Sequence, residues 1–193
     1  MKRVIGSSIF AIFAILILMV SCKGKSDVLE SNLENMLNKE ISLEKFETVQ
    51  RGGNSYSWSD FRQKFSNISI VFLQDGCTPC YPKFIEWHKR MEQISTADDY
   101  TVLFVLNARH YENFVRNART YGEFDERYFH VMDPDNRFMM DNLSIPRNII
   151  DRSLLIDSRN RIKMIGEPFA NADMTKVFHI VTGVDTQHTG ESK

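Results

Sequence analysis

Apolar residues along the chain follow two patterns, short continuous runs and stripes at helical spacing. The runs at 68–74 and 100–106 are rich in β-branched and aromatic residues, so each predicts a buried strand. After each run the apolar residues recur every three or four positions, which predicts an amphipathic helix. The first stripe is Phe84, Trp87, His88, Met91 and Ile94, and the second is Tyr111, Phe114, Val115, Ala118 and Tyr121.

The other segments continue this alternation of strands and helices. They are a short helix from Ser57 through Phe65, a strand at 128–132, a turn at 133–136, a hairpin of strands 154–156 and 162–165, and a helix through 174–181 closed by Gly183. Residues 51–55 predict a loop. Strands that alternate with helices and end in a hairpin predict an α/β fold, a central mixed sheet with a parallel portion and helices on both faces.

The first 21 residues have the pattern of an export signal. Lys2 and Arg3 precede an apolar run at 9–20, which is shorter than the roughly 20 residues that a membrane-spanning helix needs. The following Met19-Val20-Ser21-Cys22 resembles the lipobox of bacterial lipoproteins, which implies lipidation of Cys22. A cleaved signal with an incidental cysteine is the alternative interpretation.

These features divide the chain into four parts. We expect a lipoprotein signal peptide at 1–21, one domain at 46–185 and a polar tail at 186–193. Between them, 22–45 would be a tether with a short amphipathic helix that carries Leu29, Leu33, Met36 and Leu37. A lipid-anchored protein of this kind is expected in the bacterial cell envelope, facing the periplasm or the surface, with the membrane as a partner through Cys22.

Composition narrows the possible partners and cofactors. The 24 basic and 25 acidic residues give a formal net charge of −1, so no basic excess indicates a nucleic-acid partner. Three cysteines are too few for a disulfide framework or a four-thiolate zinc site, and the sequence predicts no metal and no cofactor. Lys83, Lys89 and Arg90 are expected on a solvated helix face.

Cys77 and Cys80 lie between a predicted buried strand and a predicted helix. The first turn of a helix has unpaired N–H groups and a partial positive charge, so it favours a thiolate. Pro79 fits this turn because its missing N–H is not needed there. We therefore expect Cys77 to be the exposed nucleophile and Cys80 the shielded cysteine that resolves a mixed disulfide. A structural disulfide without turnover is the alternative, although such a short loop stabilises little by closure.

Three segments resemble the thioredoxin-like thiol–disulfide oxidoreductases of the TlpA/ResA type, over roughly residues 46–184. They are Phe72-Leu-Gln-Asp-Gly-Cys-Thr-Pro-Cys-Tyr-Pro at the strand end, Tyr128-Phe-His-Val-Met-Asp-Pro-Asp-Asn before the hairpin, and Leu154-Leu-Ile-Asp with Arg161-Ile-Lys within it. The resemblance implies a thioredoxin-like fold, protein dithiol or disulfide substrates, and catalysis by Cys77 and Cys80.

Two positions depart from the pattern of this family. Gly76 stands where an aromatic residue usually precedes the first cysteine, and Asp151 stands where a cis-proline usually precedes the penultimate strand. Pro146 is the nearest proline and is the candidate for substrate docking. The sequence therefore leaves two hypotheses, an exported lipid-anchored oxidoreductase and a binding lipoprotein of the same fold with weak or no redox turnover.

Overall fold

A computed structural model describes residues 33–184 of the 193-residue chain. The chain divides into two units, Met1–Met36 and Leu37–Lys193. In the first unit, residues 33–36 are helical and fall within the predicted amphipathic helix. The predicted signal peptide, Cys22 and the tail at 186–193 lie outside the described residues. Among the helices at 33–184, none is long and apolar enough to cross a membrane.

Residues 37–184 of the second unit form seven strands and six helices. In chain order they are β1 (Thr48–Arg51), β2 (Asn54–Ser57), α1 (Trp58–Lys64), β3 (Asn67–Gln74), α2 (Cys80–Met91), β4 (Tyr100–Asn107), α3 (Tyr111–Arg119), β5 (Phe129–Met132), α4 (Arg137–Asp141), α5 (Arg147–Ile150), β6 (Leu154–Ile156), β7 (Ile162–Ile165) and α6 (Ala172–Thr182). The strands and helices predicted from the two apolar runs and their stripes are all present.

The seven strands form one mixed sheet in the order β2-β1-β5-β4-β3-β6-β7. The three central strands β3, β4 and β5 are parallel, and β3 and β4 pair over their whole length. On one side β6 runs antiparallel to β3 and β7 antiparallel to β6, which confirms the predicted hairpin. On the other side β1 runs antiparallel to β5. The carboxyl ends of β3 and β4 therefore meet at one edge of the sheet, where the cysteines follow.

Helices cover both faces of the sheet. Successive side chains of β3 and β4 point to opposite sides, so each strand packs against both layers. Val71, Leu73 and Phe104 pack in one core cluster with residues of α2, α3 and α6. On the other face Phe72 stacks on Phe138 of α4, with ring centroids 5.9 Å apart. Phe61 of α1 contacts Phe129 of β5, with ring centroids 4.9 Å apart. The predicted α/β fold with helices on both faces is confirmed.

Two segments differ from what the sequence predicts. The predicted loop at 51–55 is part of a hairpin in which β1 and β2 pair around Gly52 and Gly53, both with positive φ. Its strands are mostly polar and exposed, so they lack the apolar alternation that indicates a strand. The compact unit also begins before residue 46, since Ile41 and Leu43 are buried and residue 40 forms a bridge with residue 161.

Candidate functional site

The two cysteines lie in a tight loop that joins β3 to α2. Three backbone hydrogen bonds hold this loop: the N–H of Asp75 donates to Asn107 O (3.0 Å), that of Cys77 to Gln74 O (3.3 Å) and that of Cys80 to Cys77 O (2.9 Å). Cys77 thus precedes the helix and Cys80 is its first residue. The first of these bonds ties the loop to the end of β4, so the loop is positioned by the two central strands.

Cys77 and Cys80 form a disulfide, with their Cα atoms 5.3 Å apart. This separation lies in the usual range for disulfides, so the loop places the two sulfur atoms for bonding. Both residues are half-buried, so the structure does not show the predicted difference in exposure between an open Cys77 and a shielded Cys80. The difference lies in contacts, because Cys80 packs against the hydrophobic core.

The N-terminus of α2 is suited to a negative charge. It begins after Pro79 without a hydrogen bond from a capping side chain, and its first turn contains no acidic residue. Pro79 and Pro82 have no N–H group, so the start of the helix has two fewer N–H groups that need a hydrogen-bond acceptor. The remaining partial positive charge lies beside Cys77 and can stabilise its thiolate after reduction.

The hydroxyl group of Tyr81, next to Cys80, is the centre of a hydrogen-bond network. It accepts from the backbone N–H of Gly76 at 2.7 Å and donates to Oδ1 of Asp75 at 2.7 Å. Asn117 of α3 donates to the same hydroxyl at 3.3 Å, and the Gly76 N–H also reaches Asp75 Oδ1 at 3.1 Å. The tyrosine is buried, with 8% of its surface exposed. The loop before Cys77 is therefore fastened to two helices.

The backbone at Gly76 explains why no aromatic residue precedes Cys77. Its φ of +77° lies in the left-handed region, which L-residues with a side chain rarely adopt. Nothing lies within 4 Å of the place that a Cβ would occupy, so space does not exclude a side chain there. The conformation of the backbone, and not crowding, selects glycine at this position.

Lys83, one turn into α2, connects the cysteine helix to the loop before β6. Its Nζ donates to the backbone oxygen of Asp151 at 2.6 Å and lies 3.5 Å from Oε1 of Glu167. Burial lowers the pKa of Lys83, and the negative charge of Glu167 acts in the opposite direction. The side chain is only 18% exposed, so the prediction that Lys83 belongs to a solvated face is wrong. A long lysine stem can lie along apolar surface while its charged end finds a partner.

The position expected for a cis-proline is occupied by Asp151, which ends α5. Residues 33–184 contain no cis peptide bond, so Pro146 is not a cis-proline. Instead Pro146 is the residue before α5, and its carbonyl oxygen accepts from the N–H of Ile149 at 2.9 Å. Asp151, at the other end of this short helix, contacts Lys83, and the role of Pro146 in substrate docking stays a prediction.

Two open grooves lie beside these residues. One has a volume of about 370 Å³ and is lined by Asp75, Asn107, Arg109, His110 and Asn113, with Pro134. The other has a volume of about 390 Å³, and its lining includes Asp151 and Glu167, the two residues that Lys83 contacts. The first groove is lined mainly by polar side chains, whereas half of the residues that line the second are apolar or glycine. Among residues 33–184 no three His, Cys, Asp or Glu side chains converge to hold a metal ion.

His88 lies further along α2 and belongs to the core rather than to the site. It is 2% exposed and packs among aromatic rings: Phe84, Phe104, Phe124 and Tyr128. Burial, with a smaller effect from the positive charge of Arg127, lowers its pKa to about 3. The ring is thus neutral near pH 7, which agrees with its place in the predicted apolar stripe.

Sequence reasoning identified the cysteines and placed Asp151 at the position of the family cis-proline, but it did not identify Tyr81 and Lys83 as neighbours of the site. The aromatic residue next to Cys80 was a usable signal, because a tyrosine at the start of a helix has a hydroxyl that needs a partner. No local pattern indicates the contact between Lys83 and Asp151, which are 68 positions apart.

This strand order, with a Cys-x-x-Cys pair where a central parallel strand passes into a helix, is a thioredoxin-like fold. Known protein structures have a similar fold. A candidate electron transfer protein from Aquifex aeolicus VF5 has 15% identity and a TM-score of 0.52, over 76% of this chain and 99% of that chain. A candidate thiol:disulfide interchange protein DsbE from Chlorobium tepidum has 14% identity and a TM-score of 0.52, over 75% and 99%.

A candidate thiol-disulfide oxidoreductase from Bacteroides vulgatus is similar to the same extent. It has 18% identity and a TM-score of 0.51, over 78% of this chain and 94% of that chain. No protein-family profile and no curated protein match the sequence. At these identities the similarity establishes the thioredoxin-like fold.

Proposed function

We propose that this protein is an exported, lipid-anchored thiol–disulfide oxidoreductase that exchanges disulfides with partner proteins through Cys77 and Cys80. One observation carries the proposal: the two cysteines form a disulfide beside the uncapped N-terminus of α2. A helix start favours a thiolate, which is the form of cysteine that reacts in exchange. The names of the similar structures from Chlorobium tepidum and Bacteroides vulgatus agree with this chemistry.

In the proposed reaction the thiolate of Cys77 attacks a disulfide of the partner. A bond forms between Cys77 and one partner sulfur, and the partner disulfide breaks and releases a thiolate that takes up a proton. The thiolate of Cys80 then attacks the Cys77 sulfur, which releases the second partner thiolate. Two electrons pass from the cysteine pair to the partner, and the reverse sequence oxidises a partner dithiol.

The direction of exchange depends on the reduction potential of the pair relative to that of the partner. Equilibration of the full-length protein with glutathione buffers measures this potential, and reduction of insulin disulfides measures turnover. We expect Cys77→Ser to abolish turnover and Cys80→Ser to accumulate a mixed disulfide, because the second step is then missing. A wild-type protein with no exchange activity in either direction would refute the oxidoreductase proposal.

The anchoring part of the proposal depends on Cys22 in the lipobox-like segment. Acyl chains on this cysteine would hold the protein on the cell envelope, with the domain facing the periplasm or the surface. Expression in a bacterial host with a labelled fatty acid tests this. We expect label in the membrane-bound wild-type protein and none in Cys22→Ser. Equal labelling of both proteins would rule out lipidation at Cys22.

One observation favours the second candidate, a binding lipoprotein of the same fold without efficient turnover. The position of the family cis-proline holds Asp151, whose backbone oxygen is already bound by Lys83. The glutathione and insulin measurements separate the two candidates. A binding protein would form the Cys77–Cys80 disulfide but would turn over no faster than the Cys77→Ser variant.

A further inference from the structure

We infer that Tyr81 is a positioning residue for Cys77, and this inference rests on the proposed exchange function. Its hydroxyl group fastens the peptide before Cys77 to the helix that begins with Cys80. The bonds that carry this are the 2.7 Å hydrogen bond from the Gly76 N–H and the 2.7 Å hydrogen bond to Asp75 Oδ1. Neither involves a sulfur atom, so both can persist when the disulfide is reduced.

The ring of Tyr81 is itself held in place, which makes its hydroxyl a fixed point. It contacts Phe114 of α3 with centroids 5.3 Å apart and stacks on Tyr121 at 6.2 Å. Asn117 adds a hydrogen bond to the hydroxyl from the same helix. The loop residue Gly76 has a left-handed backbone and a wide choice of conformations when released. The network therefore restricts a segment that would otherwise be among the most mobile near the site.

The consequence concerns the second step of exchange. Cys80 must reach the Cys77 sulfur, form the Cys77–Cys80 bond and release the partner sulfur as a thiolate. A loop held with the two Cα atoms near 5.3 Å raises the effective concentration of one thiol at the other. If Tyr81 provides this restraint, its hydroxyl stabilises the disulfide relative to the dithiol.

Substitution Tyr81→Phe removes the hydroxyl and keeps the ring. We expect the equilibrium with glutathione to shift about tenfold toward the dithiol, which is about 30 mV for a two-electron couple. The mixed disulfide of the variant with a small thiol should also resolve more slowly. The matched control is Tyr100→Phe, which removes a buried hydrogen bond of 2.9 Å to Ser69 Oγ. The control should lower the free energy of unfolding and leave the redox equilibrium within twofold of wild type.

Two substitutions of the exposed Asp75 keep the test decisive if Tyr81→Phe fails to fold. Asp75→Ala removes the acceptor of the Tyr81 hydroxyl, and we expect a shift toward the dithiol of at least fivefold. Asp75→Asn retains an acceptor oxygen but no charge, and should shift the equilibrium less than twofold. Equal shifts in the two Asp75 variants would mean that charge, and not the network, sets the equilibrium, which would overturn the inference.

A redox equilibrium of Tyr81→Phe within twofold of wild type would also overturn it, whatever the change in stability. The glutathione equilibrium needs no protein partner. A wild-type protein that forms its disulfide but exchanges disulfides with protein substrates in neither direction would therefore refute the proposed function and leave the role of Tyr81 measurable.

Discussion

The Nζ atom of Lys83 lies 2.6 Å from the backbone oxygen of Asp151, 68 positions further along the chain. This hydrogen bond joins the helix that begins with Cys80 to the segment that leads into β6. Because a charged donor is involved and the lysine is mostly buried, the bond belongs to the stronger class of side-chain hydrogen bonds.

Replacement of Lys83 by methionine should therefore destabilise the domain. The apolar stem stays, but the Asp151 oxygen loses its donor and Glu167 loses its ion pair. We expect the free energy of unfolding to fall by about 2 kcal/mol, as measured by urea denaturation of the oxidised protein. The control is Lys89→Met on the exposed part of the same helix, which should change the free energy of unfolding little. Equal stability of the two variants would show that the Lys83 contacts contribute nothing.

Substitution of Gly76 should lower the stability of the protein because of the backbone conformation at this position. Gly76→Ala forces a residue with a Cβ into φ of +77°, and we expect the oxidised protein to lose about 1 kcal/mol of stability. Gly76→Asn should lose less, since asparagine enters the left-handed region more readily. Urea denaturation of the two variants measures this order. Alanine at least as stable as asparagine would argue against a backbone origin.

Acid should destabilise the fold through two buried histidines. Burial lowers the pKa of His88 to about 3 and that of His130 to about 4, from the ordinary value of 6.5. Below pH 6.5 the unfolded chain binds protons that the folded protein excludes, so the free energy of unfolding decreases as pH falls from 6.5 toward 4. Each histidine contributes up to about 1.4 kcal/mol per pH unit in this window. Urea denaturation at pH 7, 6 and 5 measures the decrease.

His88→Phe isolates one of the two contributions, because phenylalanine retains an aromatic ring among the aromatic neighbours. The loss of stability between pH 6.5 and pH 5 should fall to about half of that of the wild type. An unaltered pH dependence in His88→Phe would exclude His88 as a cause.

Asp133, buried after β5, holds the start of α4 and the end of β4. Its two carboxylate oxygens accept from the N–H groups of Arg137 at 2.7 Å and Phe138 at 2.9 Å. Asp133→Ala removes the acceptor of both N–H groups, of which that of Phe138 is buried, so we expect a loss of about 2 kcal/mol in thermal or urea unfolding. Asp135→Ala, whose carboxylate is 66% exposed, is the control and should lose less than about 0.5 kcal/mol.

The central strands and the cysteine helix could be predicted because their signals are local. β3 and β4 are buried on both faces, so their sequences are continuous apolar runs bounded by polar residues. The stripe of α2 follows from one buried face, and it includes His88 because a neutral imidazole packs among aromatic rings. The place of Cys77 and Cys80 between these elements follows from the same local pattern.

The hairpin of β1 and β2 could not be predicted in this way, because pairing with β5 stabilises strands whose own side chains are mostly polar. The same holds for Ile41 and Leu43, whose burial depends on segments far along the chain. An apolar residue in a short segment indicates burial only when the partner surface is known.

The α/β domain and the cysteine pair between a buried strand and a helix follow from the sequence, since burial periodicity and residue spacing are encoded over a few neighbouring positions. The surroundings of that pair follow from the folded chain. The contacts of Lys83 with Asp151 and of Tyr81 with Asn117 depend on how the chain closes over the sheet. Side-chain hydrogen bonds between distant segments leave no periodic trace in a sequence, so these contacts around the helix that begins with Cys80 could not be predicted from it.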